Sequence, residues 1–324
     1  MSARDKVGAA GRDPPRRLNV LLVGAEGAAV QVLQGLVESG HRVVAVLAEI
    51  ARGTGVGLAH RAETLGLPVL EARDHVVDPG FAAWIAEREV DLLLNVHSLS
   101  IVHDDVTRAP AIGSFNLHPG PLPAYAGMNV VTWAIVRGET SHGVTLHWMD
   151  AGVDTGAVAY AARFPVAPDD TGLSVFTRCV REGVPLVFRL LDAAAEDPAS
   201  IPRMRQEGER TVYLRRQVPN GGRVDWDRPA RAVHDLVRGC DFGPFPSPCG
   251  YPATRAAAGV LGVLGSVRTG RACTEPPGTV GEPGDGAATV ATADEWLGIR
   301  AVMLDGHRGA AAEVLRPGER LADP

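Results

Sequence analysis

The chain is almost without lysine. Lys6 is the only one among 32 Lys and Arg residues, which excludes a Walker-type phosphate loop, because that motif requires Lys before Ser or Thr. The surplus of Arg reads as codon bias rather than as a row of bidentate anion sites. Cysteine is scarce too. Cys179, Cys240, Cys249 and Cys273 form no C-x-x-C pair and no His/Cys cluster with metal spacing, so no metal is expected and the thiols read as reduced, in a cytoplasmic protein. No run approaches the ~20 apolar residues that span a bilayer. The polar, Arg- and Pro-containing start lacks the apolar centre of a signal peptide, and residues 1–17 are expected to be a disordered tail. Positive charge is in deficit as well: 38 acidic residues give a formal net charge of −6. That leaves no bulk basic surface for DNA or an anionic membrane.

From Leu18 onward the pattern is regular. LNVLLVG (18–24) is a short apolar run of the kind buried on both faces of a sheet. GAAVQVLQGLVES (27–39) has helical spacing and stops at Gly40, and HRVVAVLAE (41–49) is a second strand. Further strands are expected at 67–72, 91–98 and 112–118, with helices at 55–66, 81–90 and near Asn129–Val136. A strand pair at 143–149 and 156–164 and a helix at 173–196 complete this part. Such alternation implies an α/β fold, a doubly wound and mostly parallel sheet over 18–200. Beyond about 219, Gly, Pro and Ala are dense and apolar stretches short, which suggests a small β-barrel, OB-like, over 223–320. Residues 201–222 are the expected linker.

Two glycine-rich places imitate nucleotide loops. Val23-Gly24-Ala25-Glu26-Gly27 follows the first strand without the full G-x-G-x-x-G spacing. Gly53-Thr54-Gly55-Val56-Gly57 follows the second strand, and Leu58 stands where a third glycine is needed. Both read as tight strand-to-helix turns.

The informative stretches are SFNLHPGPLPAYAG (114–127) and GVTLHWMDAGVDTG (143–156). Residues i and i+2 of a strand share a face, so Asn116 and His118 project together at the carboxyl end of a strand, where open α/β sheets bind ligands. Asp154 lies in a Gly-flanked turn able to join them. Formylation of an amine creates a negative oxygen and a positive nitrogen. An Asn amide and an imidazolium can stabilise the first, and a carboxylate can accept protons from the second. Singly, each residue has an ordinary alternative: a strand-end Asn, a surface His, a turn Asp.

Together, N-x-H-P-x-x-L-P-x-x-x-G (116–127), G-V-T (143–145) and D-x-G-x-D-T-G (150–156) closely resemble the 10-formyltetrahydrofolate-dependent formyltransferases. That family includes enzymes acting on methionyl-tRNA, glycinamide ribonucleotide, sugar amines and peptide natural products. The resemblance carries the catalytic roles to Asn116, His118 and Asp154 rather than to Asp150. It also implies that the pterin of the donor lies between 97–101 and 150–154, with Ser98, Leu99, Ile101, Gly152 and Val153 as candidates. Gly120 and Pro121 depart from the Ser-Leu-Leu-Pro loop of many members. The 224–251 stretch, with its W-x-x-P-A opening of a helix, and Pro276–Val280 resemble the family's C-terminal domain.

The acceptor amine is a separate question. Residues 218–324 hold eleven Arg against thirteen Asp and Glu, and AEIARGTGVGLAHR (48–61) carries few positive charges where tRNA-dependent relatives have a basic loop. Binding of tRNA should leave a basic footprint. A small or carrier-bound amine of secondary metabolism (amino sugar, amino acid or hydroxyornithine-type hydroxylamine) is therefore expected ahead of methionyl-tRNA, with Tyr125, Asn129 and Trp133 as acceptor candidates. A formyl-folate hydrolase is a further alternative. A metal hydrolase built on His118, His142, His147 and Asp154 is disfavoured because His142 and His147, five apart, face opposite sides of a strand. The sequence leaves a homodimer open.

Overall fold

The computed structural model describes residues 16–25, 27–49 and 57–324. Residues 1–15 of the expected tail, Glu26 in the first glycine run and residues 53–56 in the second lie outside these, as do residues 50–56 of the 48–61 segment compared with the basic loop of tRNA enzymes.

The chain parts into two compact units. One holds the described residues up to Ser114 with Val187–Pro202; the other holds Phe115–Leu186 with Arg203–Pro324. In the first, β1 (Asn19–Gly24), α1 (Ala28–Glu38), β2 (Arg42–Ala48), α2 (Leu58–Thr64), β3 (Val69–Glu71), α3 (Ala72–His75), α4 (Phe81–Glu87), β4 (Leu92–Val96) and α5 (Asp104–Arg108) follow in turn. β1 pairs in parallel with β2 on one side and β4 on the other, and β3 pairs in parallel with β2. The Val/Leu-rich strands are buried almost throughout, as parallel strands covered on both faces must be. α1 turns Ala28, Ala29, Val32, Leu33 and Leu36 inward at helical spacing. Gly24 ends β1 where a Cβ would stand 2.5 Å from the Ala29 Cβ and 3.0 Å from the Val96 carbonyl oxygen. The first glycine signal is thus explained by close packing of strand on helix.

The second unit begins with the greater part of β5 (Gly113–His118). β6 (Ala126–Gly127), α6 (Val130–Val136), β7 (Ser141–Trp148), β8 (Val158–Pro165) and, as far as Leu186, α7 (Gly172–Glu196) follow. β5, β7 and β8 run antiparallel in that order. After them come β9 (Val212–Tyr213), α8 (Ala230–Gly239), β10 (Ala253–Ala256), β11 (Gly259–Ala272), β12 (Ala288–Ala291), β13 (Glu295–Leu304) and β14 (His307–Ala310). β9 pairs in parallel with β6. The last five strands make an antiparallel half-barrel in the order β10-β11-β13-β12, with β14 on β13. Its core gathers Trp226, Val233, Val237, Leu261, Val263, Leu297 and Ile299.

The expected α/β class with a β-rich C-terminal part is what the chain forms. The C-terminal strands include a clear departure from expectation. The C-terminal strands were expected to be short, yet β11 runs over fourteen residues. Its register against β13 shifts at Val263/Gly265, Gly265/Ser266 and Arg268/Ala272. Such bulges let one long strand bend around a small core, so the glycines that suggest interruptions act as bends.

Candidate active site

Asn116 and His118 sit on β5 directly opposite His147 and Thr145 of β7. Asp154 follows β7 in a turn, with a left-handed φ of 52°, a conformation that Asp tolerates better than most residues. These elements bring four polar side chains together. The Asn116 amide nitrogen lies 3.2 Å from Asp154 Oδ1 and 3.2 Å from His147 Nε2. His147 Nε2 is 3.4 Å from Asp154 Oδ1, and His118 Nδ1 is 3.6 Å from Asp154 Oδ2. The second carboxylate oxygen also accepts the Gly127 N–H at 2.7 Å.

The ring tautomers follow from what else these nitrogens meet. His118 Nε2–H donates to the Tyr125 carbonyl at 2.6 Å, and His147 Nδ1–H donates to the Trp148 carbonyl at 2.7 Å. When neutral, His118 therefore keeps its lone pair on Nδ1, toward Asp154, and His147 keeps its own on Nε2, toward Asn116. Burial pushes His118 below its ordinary pKa, and the raising effects of Asp154 and the Tyr125 carbonyl do not cancel it. For Asp154, burial works upward, but His118, the neighbouring His147 ring and the Gly127 N–H together hold the carboxyl below the usual carboxylate range. Near neutral pH the centre is an ionised carboxylate beside a neutral imidazole.

The flanking sequence makes this arrangement rigid. Thr145 Oγ1–H donates to the Gly120 carbonyl at 2.8 Å while accepting the Leu122 N–H at 3.2 Å, which pins the proline-rich loop to β7. A Cβ on Gly120 would come within 2.7 Å of the Tyr125 carbonyl oxygen and 2.8 Å of His118 Nε2. The glycine thus makes room for the contact that orients His118. Asp150 closes the next turn on itself, accepting from the Gly152 N–H at 3.2 Å and from the Thr155 hydroxyl, so its carboxylate is a turn cap.

The remaining candidates take varied places. Gly152 and Val153 are exposed on the turn that carries Asp154, and the Val153 carbonyl accepts from Arg210. In the other unit, Ser98 is half-buried after β4 and its hydroxyl accepts the Ser100 N–H. Leu99 and Ile101 beside it are exposed apolar side chains. Tyr125 is buried, with its hydroxyl on Glu139 at 2.7 Å and its ring stacked on Tyr213; what it offers His118 is its backbone carbonyl. Trp133 also stacks on Tyr213, with ring centroids 4.8 Å apart. Trp133 Nε1 and Tyr213 Oη are buried without a hydrogen-bond partner among the described residues. Asn129 stands in the left-handed region before α6 and makes no side-chain cap bond.

Sequence reasoning missed His147 as a member of this cluster and weighed it only as a metal ligand. Its cross-strand pairing with Asn116 is the reason it belongs. Among the described residues no group of three or more His, Cys, Asp or Glu is arranged to hold a metal ion.

Two family matches cover the chain in sequence order: Formyl transferase over residues 16–189, and Formyl transferase, C-terminal domain, over 218–318. The chain belongs to the formyl transferase family. It is an enzyme of the group-transferring class, as the resemblance implied. A methionyl-tRNA formyltransferase of Sorangium cellulosum is 32% identical over 320 residues, 94% of this chain and 97% of the relative. One from Bacteroides thetaiotaomicron is 28% identical over 318 residues, with the same coverages of 94% and 97%. Among solved structures, the N-formyltransferase of Helicobacter canadensis with folinic acid and dTDP-3-aminofucose aligns with a TM-score of 0.66 at 17% identity. That match covers 87% of this formyl transferase and 98% of the other chain, and it concerns the fold.

Proposed function

We propose that this formyl transferase moves the formyl group of 10-formyltetrahydrofolate to an amine, with Asn116, His118 and Asp154 as its catalytic side chains. The observation that carries the reading is the contact of Asp154 with both Asn116 and His118. The amine nitrogen bonds to the formyl carbon and sheds a proton as the bond from that carbon to the folate nitrogen breaks. His118 Nδ1 takes the proton. The resulting imidazolium then donates through Nδ1 to Asp154 and through Nε2 to the Tyr125 carbonyl, so the buried charge is paired at both nitrogens. The same proton returns to the folate nitrogen as it leaves. Asn116 gives up its bond to His147 and offers that N–H to the oxygen on which negative charge develops. On the Asp154 turn, exposed Val153 suits the flat, largely apolar face of a pterin, with the Gly152 backbone as a polar contact; in the first unit, Leu99 and Ile101 are exposed apolar side chains of the same character beside Ser98.

For the acceptor, the acidic balance of residues 218–324 supports a small or carrier-bound amine, with Asn129 and Trp133 as its candidate contacts. A second reading, methionyl-tRNA, is favoured by the whole-length relatives of that name. It also gains from five exposed arginines, Arg203, Arg205, Arg210, Arg215 and Arg216, in the segment against the Asp154 turn. Four free cysteines accord with action in the cytoplasm.

Turnover of purified enzyme with the formyl donor and, in parallel, a dTDP-linked amino sugar, hydroxyornithine, methionyl-tRNA or no acceptor tests these readings. Fast formylation of either small amine upholds the first, and preference for tRNA with a steep loss of rate in salt installs the second. Formate release without any acceptor identifies a hydrolase. In each case His118→Ala is expected to lose on the order of 10²- to 10⁴-fold in rate, and unchanged turnover removes His118 from the mechanism.

A further inference from the structure

The geometry points to Gln206 as a positioning residue that holds the catalytic turn in shape from within the segment read as a linker. This assignment rests on the proposed role of Asp154. The side-chain amide nitrogen of Gln206 donates to the main-chain carbonyl of Asp154 at 2.9 Å and to that of Gly156 at 2.7 Å. One NH2 group thus spans both ends of a three-residue bend. Within that bend Asp154 is in the left-handed region with φ 52°, a conformation that surrounding bonds must maintain. Gly156 has no room for a side chain, since a Cβ there would stand 1.8 Å from the Trp148 carbonyl oxygen, so the bend packs closely on β7.

Gln206 is also well anchored. Two residues before it, Met204 exchanges both main-chain hydrogen bonds with Val158, at 2.8 and 3.0 Å. Arg203 lies over the Trp148 ring at 3.4 Å, and Arg210 donates to the Val153 carbonyl. Further on, the Thr211 carbonyl accepts the Ala126 N–H at 3.0 Å and the Tyr213 carbonyl accepts the Met128 N–H at 2.8 Å. Between those two lies Gly127, whose own N–H holds the Asp154 carboxylate at 2.7 Å. Residues 203–213 therefore grip both partners of one hydrogen bond: the Asp154 turn through Gln206, and the Gly127 strand through β9. A spacer would have no reason to do either. Without the Gln206 donors, two carbonyls lose their partners and the carboxylate is free to drift from His118 and Asn116.

The test uses the full-length chain with Gln206→Met, which keeps length without donors, and Gln206→Glu, which keeps shape but turns acceptor oxygens toward two carbonyls. Leu214→Ala, at an exposed position of the same segment, is the control. Turnover is followed with the formyl donor and whichever of methionyl-tRNA or the dTDP-linked amino sugar is formylated by the unaltered enzyme. Both Gln206 variants are expected to lose about 10- to 100-fold in kcat, with KM for the donor within about threefold. The His118 ring, followed by NMR, is faced by Asp154, His147 and His142. Its titration should move to lower pH in Gln206→Met, toward that of Asp154→Asn, because the carboxylate that favours its charged form has withdrawn and no new charge is added. Wild-type kcat in both variants with a wild-type titration in Gln206→Met overturns the assignment. So does a kcat loss that Leu214→Ala shares, or one that comes with an unmoved titration in Gln206→Met. Should Asp154→Asn keep full turnover, the catalytic reading of Asp154 falls, while the titration still registers whether Gln206 places that carboxylate.

Discussion

At the scale of single residues, the proposed mechanism calls for His118 to be neutral while Asp154 is charged. His118 has its pKa lowered by burial, so its base form is present above that lowered value and is lost as pH falls through it. The acid limb of kcat/KM for the free enzyme should accordingly fall below pH 6.5, the ordinary histidine value. Asp154 raises the His118 pKa. Asp154→Asn should therefore shift the remaining limb to still lower pH while cutting the rate by orders of magnitude; a limb that moves upward would contradict this coupling. Gly120 gives a steric prediction. A Cβ there would crowd both the Tyr125 carbonyl and the His118 ring. Gly120→Ala is expected to lose about 10- to 100-fold in kcat with secondary structure intact by circular dichroism.

At the scale of elements, the strands and long helices were legible because burial on both faces writes continuous apolar runs and helices write a 3.6-residue period. β1, β2, β4, β5 and α7 lie within a few residues of their expected positions. The four-residue α3 and five-residue α5 were not legible, since so short a helix has no period to display. The pairing of Asn116 with His118 could be read from alternation along one strand. His147 could not, because its partnership with Asn116 depends on the register between β5 and β7. Gln206 was equally hidden: a side chain bonding to carbonyls fifty residues away leaves no local pattern. The W-x-x-P-A signal for α8 was sound, and its physical basis includes a distant cap. The Ala230 N–H that opens the helix donates to Asp294 Oδ1 at 2.8 Å, where Pro229 offers no side-chain acceptor. Asp294→Ala should cost about 1 kcal/mol of stability, in the usual range for a lost cap, measurable as a lower urea midpoint with an unchanged slope.

At the scale of the whole molecule, buried histidines set the response to acid. Burial pushes His142 down to about 4, against the raising effect of its bond to the Pro119 carbonyl. In the unfolded chain the same ring takes a proton near 6.5. Its contribution is thus complete above pH 6.5, is lost progressively between 6.5 and about 4, and changes no further below that. At 1.36 kcal/mol per pKa unit the loss is roughly 3 kcal/mol, and His118 adds to it in the same direction. Asp154, with a depressed pKa, weakens the fold only at more acid pH, below the unperturbed carboxylate value. Denaturant melts from pH 7 to pH 4 should show this slope. His142→Gln, which keeps a donor for Pro119 but cannot titrate, should flatten part of it.

The bond between Gln206 and the Asp154 turn also has a consequence in time. The two residues are fifty-two positions apart, and translation proceeds at roughly 5–20 residues per second. A ribosome therefore delivers the aspartate roughly 3 to 10 s before the side chain that clasps its turn. During that interval the nascent chain carries Asn116, His118 and Asp154 without the side chain that bonds to the Asp154 turn, and a release at residue 200 would make the condition permanent.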